Sequence, residues 1–162
     1  MLTGNLILSN VAIDLRGKNS IIKVMKAYEF INHTADLGIR VRGNSLKQLF
    51  ERAGWAMFDI LVELKGVKLK ETVEIEIEGE QIEELLADWL RELLYKFNGE
   101  GYLFKEFEVK KLDKEGLKAK VKGEKLDLSH HQLKTEIKAV TYHGLEVKKK
   151  KDSWETQVIF DV

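Results

Sequence analysis

Val73-Glu74-Ile75-Glu76-Ile77-Glu78, followed by Ile82-Glu83-Glu84-Leu85-Leu86-Ala87-Asp88-Trp89-Leu90-Arg91-Glu92-Leu93-Leu94-Tyr95-Lys96-Phe97, decides the fold class. Apolar and acidic residues alternate in the first part, which is the period of a strand with one dry and one wet face. Four residues on, the period changes. Ile82, Leu85, Leu86, Trp89, Leu90, Leu93, Leu94 and Phe97 fall three and four apart and form one helical stripe. Glu83 and Glu84 suit the positive N-terminal end of that helix, and Asn98-Gly99 is the expected stop.

The same two patterns recur on either side. Leu46, Leu49, Phe50, Ala53, Met57, Ile60 and Leu61 predict a second amphipathic helix, with Ser45 and Gln48 at capping-box spacing before it. Leu37, Ile39 and Val41 alternate with Gly38, Arg40 and Arg42; Leu117, Ala119 and Val121 alternate with Lys118, Lys120 and Lys122. Phe104 to Lys111, Ile137 to Val147 and Trp154 to Val162 complete the expected strands, with hairpin turns at 113–116 and 151–153. Half-wet strands and only two helices imply an α+β fold. The expectation is a two-layer sandwich of mostly antiparallel sheet with two helices packed on one face. Residues 25–162 read as one domain. Residues 1–24, where Leu2, Leu6, Leu8, Val11 and Ile13 could form an extra strand, read as an N-terminal extension or a non-native start ahead of Met25.

Composition removes several classes of function. The 162 residues include no Cys, so disulfides, thiolate nucleophiles and Cys-ligated zinc are excluded. No apolar run approaches the roughly 20 residues that span a bilayer, so no membrane association is expected and a cytoplasmic protein is the default. Lys+Arg and Asp+Glu both total 27, which gives bulk charge no role in nucleic-acid binding. The charge is nevertheless segregated. Residues 71–100 hold ten acids against Arg91 and Lys96, and residues 102–151 hold fourteen Lys against eight acids. Cross-strand pairing of the Glu and Lys rows is the simpler explanation; a basic face for an acidic partner or an RNA backbone is the sharper one.

No phosphate-binding glycine loop, nucleophile elbow or His-Glu-x-x-His helix is present, so an enzyme acting alone has little support. Two polar clusters remain. One is Asn32-His33-Thr34-Ala35-Asp36, where Asp36 could simply cap a turn. The other is the end Val158-Ile159-Phe160-Asp161-Val162, where a side-chain carboxylate is followed at once by the terminal one. If Asp36 converges with Asp161 and Val162, three carboxylates face one another and suit a hard divalent ion: Ca²⁺, Mg²⁺ or Mn²⁺. That expectation collapses if residues 36 and 161 lie on opposite sides of the molecule. His33, three residues before Asp36, could orient it or join the shell.

His33-Thr34-Ala35-Asp36-Leu37-Gly38, Leu85-Leu86-Ala87-Asp88-Trp89-Leu90 and Lys138-Ala139-Val140-Thr141-Tyr142-His143-Gly144-Leu145, with the Asp161-containing end, resemble the archease family. The resemblance covers Lys26 to Val162. It implies a small accessory protein, not itself a catalyst, that assists an RtcB-type, GTP-dependent RNA ligase in tRNA splicing. It would promote ligase guanylylation and multiple turnover, with tRNA and GTP involved indirectly, through the ligase. By resemblance the metal site falls on Asp36, Asp161 and the Val162 carboxylate. His33, Lys138 and His143 match motif positions, as orienting or partner-contacting residues; His143 could equally be a satisfied core histidine. A metal-independent chaperone or scaffold for RNA-processing enzymes is the alternative.

The charged residues also point to a source. There are 22 Lys against 5 Arg, 19 Glu against 8 Asp and only 4 Gln, the bias of hyperthermophile proteomes. A thermal unfolding scan is therefore expected to give a melting temperature above the roughly 45–65 °C of mesophile domains. A transition near 50 °C would contradict the assignment.

Overall fold

Ser45 and Gln48 form the cap that their spacing predicts. The Ser45 hydroxyl accepts from the Gln48 N–H at 3.1 Å, and the Gln48 side chain reaches back to the Asn44 N–H at 2.6 Å. From there a helix, α1, runs over Leu46–Leu61. The second stripe becomes α2, Ile82–Glu100. It passes through Asn98 and Gly99 and stops at Gly101, the residue that adopts the left-handed conformation (φ 75) and returns its N–H to the last turn. The expected stop was two residues early because Asn98 and Gly99 tolerate a helical backbone; Gly101 has the turn's conformation.

The computed structural model describes residues 5–8, 11–14, 28–31 and 36–162. Ten strands are described: β1 (Asn5–Leu8), β2 (Val11–Asp14), β3 (Tyr28–Ile31), β4 (Leu37–Gly43), β5 (Glu71–Glu78), β6 (Tyr102–Asp113), β7 (Gly116–Lys125), β8 (Ala139–Thr141), β9 (Val147–Lys149) and β10 (Trp154–Asp161). All their pairings are antiparallel. Strands β1 and β2 pair only with each other, as a hairpin in the N-terminal extension. The fold is α+β, as the periodicities require. Its main strands divide between a sheet ordered β3-β4-β10, with β8 and β9 both on the far side of β10, and a separate sheet ordered β5-β7-β6.

The expected strand over Ile137 to Val147 is interrupted. Strand β8 pairs with the end of β10, the chain then leaves the sheet over Tyr142 to Glu146, and β9 rejoins β10 at Thr156. Gly144 makes the excursion with φ 66, and the Thr156 hydroxyl donates to the Glu146 carbonyl at 2.6 Å to close it. Five residues there oppose only Gln157 and Val158, so one continuous ladder cannot form.

Helix α1 lies against β6 of one sheet and against β3, β4 and β10 of the other. This explains why Leu49, Phe50, Ala53, Gly54, Ala56, Met57, Phe58, Ile60 and Leu61 are all buried, a wider face than one stripe provides. Phe58 packs on Phe97, Phe104 and Phe107 with ring centroids 6.1, 5.6 and 5.8 Å away, and Trp89 meets Phe107 edge-on at 6.4 Å. Close approach at β6 needs Gly123, where a Cβ would stand 1.7 Å from the Leu103 carbonyl oxygen. The segregated charge resolves into pairing across β5 and β7. Lys118 meets Glu76 at 3.6 Å and Lys120 meets Glu74 at 3.9 Å, exposed contacts worth roughly 0–1 kcal/mol each. Among the described residues no helix is long and apolar enough to cross a membrane.

Trp89 is fully buried, and its ring N–H donates to the Phe50 carbonyl at 2.8 Å, tying α2 to α1. Replacing it with Phe removes the donor and some volume. Trp89→Phe is expected to lower unfolding stability by about 1–3 kcal/mol in urea titrations, with native circular dichroism retained.

Candidate metal centre

Strands β4 and β10 pair from Gly43↔Trp154 to Leu37↔Phe160. Ile39, Val41, Val158 and Phe160 are fully buried, which fixes the inner face. Strand alternation then puts Gly38, Arg40, Arg42, Glu155, Gln157, Ile159 and Asp161 on the outer face. Asp36 is the residue before β4 and Asp161 the last residue of β10, so both flank the Leu37↔Phe160 pair. The two acids are neighbours at one end of the sheet, not on opposite sides of the molecule. Carboxylates that flank one strand pair in this way are of the type that takes a hard divalent ion.

Beyond Asp161 on its other side stands Ala139 of β8. Lys138 flanks the same spot, its N–H donating to the Asp161 carbonyl at 2.7 Å. Val162 follows Asp161 and is exposed. His33 lies outside the described residues. His143 is exposed on the turn after β8, at the end of that strand away from Lys138, so it is neither a core histidine nor a neighbour of the acids.

The next row on the outer face is apolar: Ile31, Gly38 and Ile159, with Thr141 beside them. Gly38 is required there because a Cβ would come within 2.7 Å of the Ile31 side chain. Then come the charges. Arg40 meets Glu29 at 2.7 Å and Glu155 at 3.2 Å, and Arg42 meets the same two acids at 3.5 and 3.2 Å. The Arg40 hydrogen bond, set against a small burial cost and helped by both guanidinium charges, holds the Glu29 carboxyl below the usual carboxylate range. These four groups bridge β3, β4 and β10 and lock the register on which the acid pair depends.

Among the described residues no three His, Cys, Asp or Glu side chains gather into a metal-holding group. Two acids alone are an incomplete shell for an ion that takes six or more oxygens. The donors present are nonetheless of the right kind. They are carboxylates, with the Thr141 hydroxyl on the same face, buried and without a hydrogen-bond partner among the described residues. Oxygen donors of this sort suit a hard cation.

Two other places attract attention and are structural. An open groove of about 600 Å³ at the end of the β5-β7-β6 sheet has a charged lining partly paired within itself, through Lys111–Glu115 at 3.4 Å and Lys118–Glu76 at 3.6 Å. His131, which periodicity could not single out, is buried. Its Nδ1 accepts from the Asp127 N–H at 2.9 Å, which leaves Nε2–H to donate to Glu124 at 3.0 Å. That bond, with the Lys68 N–H second, holds the Glu124 carboxyl below its ordinary range. The pair anchors the segment between β7 and β8.

Comparison with known proteins decides the family. Residues 28–162 match the archease protein family (MTH1598/TM1083). The chain belongs to the archease family. It is similar to the archease of Pyrococcus abyssi, 46% identical over 142 residues that cover 85% of this chain and 100% of the relative. The archease of Methanopyrus kandleri is 41% identical, with 83% and 99% covered. Among solved structures, the solution structure of Methanobacterium thermoautotrophicum protein 1598 superimposes with a TM-score of 0.75 at 35% identity, covering 85% of this chain and 99% of that one. An archease from Thermotoga maritima, described as a possible chaperone, gives 0.59 at 28% identity over 82% and 94%. Strands β4 and β10, which carry the acid pair, lie within the archease match; the β1–β2 hairpin does not.

Asp161→Asn is expected to abolish any increase in melting temperature caused by divalent ions. Differential scanning calorimetry with and without chelator measures it.

Proposed function

We propose that this archease is a metal-binding accessory protein that activates a GTP-dependent, RtcB-type RNA ligase in tRNA splicing in the cytoplasm, promoting ligase guanylylation and multiple turnover. The observation that supports the reading is the register of β4 on β10, whose Leu37↔Phe160 pair leaves Asp36 and Asp161 at the same end of the sheet. Asp36, Asp161 and the carboxylate of Val162 are the groups that would hold a hard divalent ion. When bound, the ion supplies charge neutralisation for phosphate oxygens. The protein's own residues do the rest. The two acids fix the position, Arg40 and Arg42 with Glu29 and Glu155 keep the strands in register, and the open coordination positions are left for water or for groups of the partner.

Three features support an accessory role. Among the described residues no nucleophile–base pair accompanies the acids, which fits nucleotidyl transfer being the chemistry of the ligase. The acids sit at a sheet end and Asp161 is exposed, where a second protein can reach them. The likeness to the Thermotoga maritima archease, described as a possible chaperone, also fits a protein that acts on another. That description favours a second reading, a metal-independent chaperone or scaffold that docks through its Lys-rich turn at Lys148 to Lys151.

The deciding measurement is ligase guanylylation with and without this protein across a titration of Mg²⁺, Mn²⁺ and Ca²⁺. Asp36→Ala and Asp161→Ala are expected to reduce stimulation to the level of the ligase alone while keeping native circular dichroism. Full stimulation by both variants would overturn the metal-centred reading. Stimulation that survives chelation but is lost on replacing Lys148 to Lys151 would establish the scaffold.

A further inference from the structure

Helix α2 turns one face to solvent. Glu84, Asp88, Arg91 and Tyr95 are exposed along it at steps of four, three and four, which is one stripe of a helix. The helix meets α1, β5, β6 and β8 through its other sides. Tyr142, on the excursion after β8, stands beside the stripe, with the Arg91 guanidinium 6.0 Å from its ring centre. Tyr95 and Tyr142 are 61% and 43% exposed, so two aromatic rings accompany one arginine at the surface. Tyr and Arg are the side chains that most often anchor protein interfaces.

The group is held in place before any partner arrives. Arg91 is fixed by Asp88 at 3.5 Å and by the Val140 carbonyl, to which it donates at 3.4 Å. The Tyr95 ring lies along Gly99, where an added Cβ would come within 3.1 Å of it. Side chains already ordered lose less freedom on binding. The charge around them is negative. Helix α2 carries five acids against Arg91 and Lys96. Lys96 is taken by Glu92 at 3.5 Å and Glu100 at 3.3 Å, which leaves Glu84 exposed and without an ion-pair partner among the described residues. Desolvation first, then the charges of Glu84 and Glu83, push the Tyr142 phenol above its ordinary range, so the acids act at that ring.

We propose that this face of α2, with Tyr142, is a docking surface for a cationic protein surface, the lysine- and arginine-lined groove with which an RNA-processing enzyme holds its RNA. This rests on the reading of the chain as an accessory protein of an RNA ligase, and names the part of that enzyme it meets. A surface that binds RNA must present cations to the phosphates. The acids of α2 match it in potential, and the two tyrosines offer its cations an aromatic face. RNA itself is the wrong partner here, because its phosphates would meet Glu84 and Asp88 as like charges. Docking in the groove competes with RNA, which would hasten departure of the ligated product.

The test measures binding of the full chain to the RtcB-type ligase by isothermal titration calorimetry, at low and moderate salt. Tyr95→Ala and Tyr142→Ala are each expected to weaken binding about tenfold or more, the loss typical of an interface anchor. Glu84→Lys should weaken it by a similar factor at low salt, and by less as salt rises. Glu76→Lys, the same charge change on the wet face of β5, should leave affinity within a few-fold of wild type. Single-stranded RNA at about ten times its own Kd for the ligase should lower the apparent affinity of the wild-type chain about tenfold. All four positions are exposed, so the variants should melt as the wild type does.

Wild-type affinity in Tyr95→Ala, Tyr142→Ala and Glu84→Lys overturns the inference and leaves the accessory role standing. Equal losses in Glu76→Lys and Glu84→Lys overturn it as well, since net charge alone would then explain them. Binding that RNA fails to displace puts the docked surface outside the groove and overturns the choice of partner. Absence of binding by the wild-type chain removes both the inference and the reading beneath it.

Discussion

The pairing of β4 with β10 is the constraint from which the rest follows. It joins a segment near the start of the domain to the last strand of the chain, a long-range closure that costs entropy before any contact rewards it. What stabilises it is a buried inner face of Ile39, Val41, Val158 and Phe160 against α1, and an outer face bridged by Arg40, Arg42, Glu29 and Glu155. A slip of one residue would turn every inner side chain to water and draw the two acids out of opposition. The hydrophobic pattern therefore sets the geometry of the polar centre, although no apolar residue touches chemistry directly.

Much of this was legible in the amino-acid order. The change from Val73-Glu74-Ile75 alternation to the Ile82–Phe97 stripe announced a strand followed by a helix, and both are present. Ser45 with Gln48 and the Asp113 turn read correctly for a local reason: caps and tight turns are decided by residues a few positions apart. The Glu and Lys rows were readable as partners because period two puts each row on one face. What could not be read depended on tertiary context. Asn98-Gly99 looks like a helix end, yet only the path into β6 selects Gly101. Within Ile137 to Val147 only Gly144 hints at a break, and where the strand leaves and rejoins is set by its pairing with β10.

The candidate site divides along the same line. Asp36 in its polar cluster and Asp161 beside Val162 were visible as candidates, but that both lie at the end of the β4–β10 pairing comes only from the register. Thr141 was read only as one residue of the Lys138 to Leu145 stretch; that its oxygen lies buried without a partner among the described residues is visible only in the fold. The Arg40–Glu155 contact was equally hidden, since those partners come from strands far apart in the chain. Residues whose role depends on what faces them are the ones a linear reading passes over.

The location of α1 between the two sheets has one more consequence. Because β6 and β4 press on the same helix, neither sheet can open without exposing Phe50 and Phe58, so the two should not melt as separate cooperative units. Backbone amides of α1 would then be the slowest in the molecule to exchange with solvent, escaping only through global opening. The strand ends that bear the acids are anchored to that slow element through Phe160, so a rigid, long-lived scaffold underlies a site at the margin of the molecule.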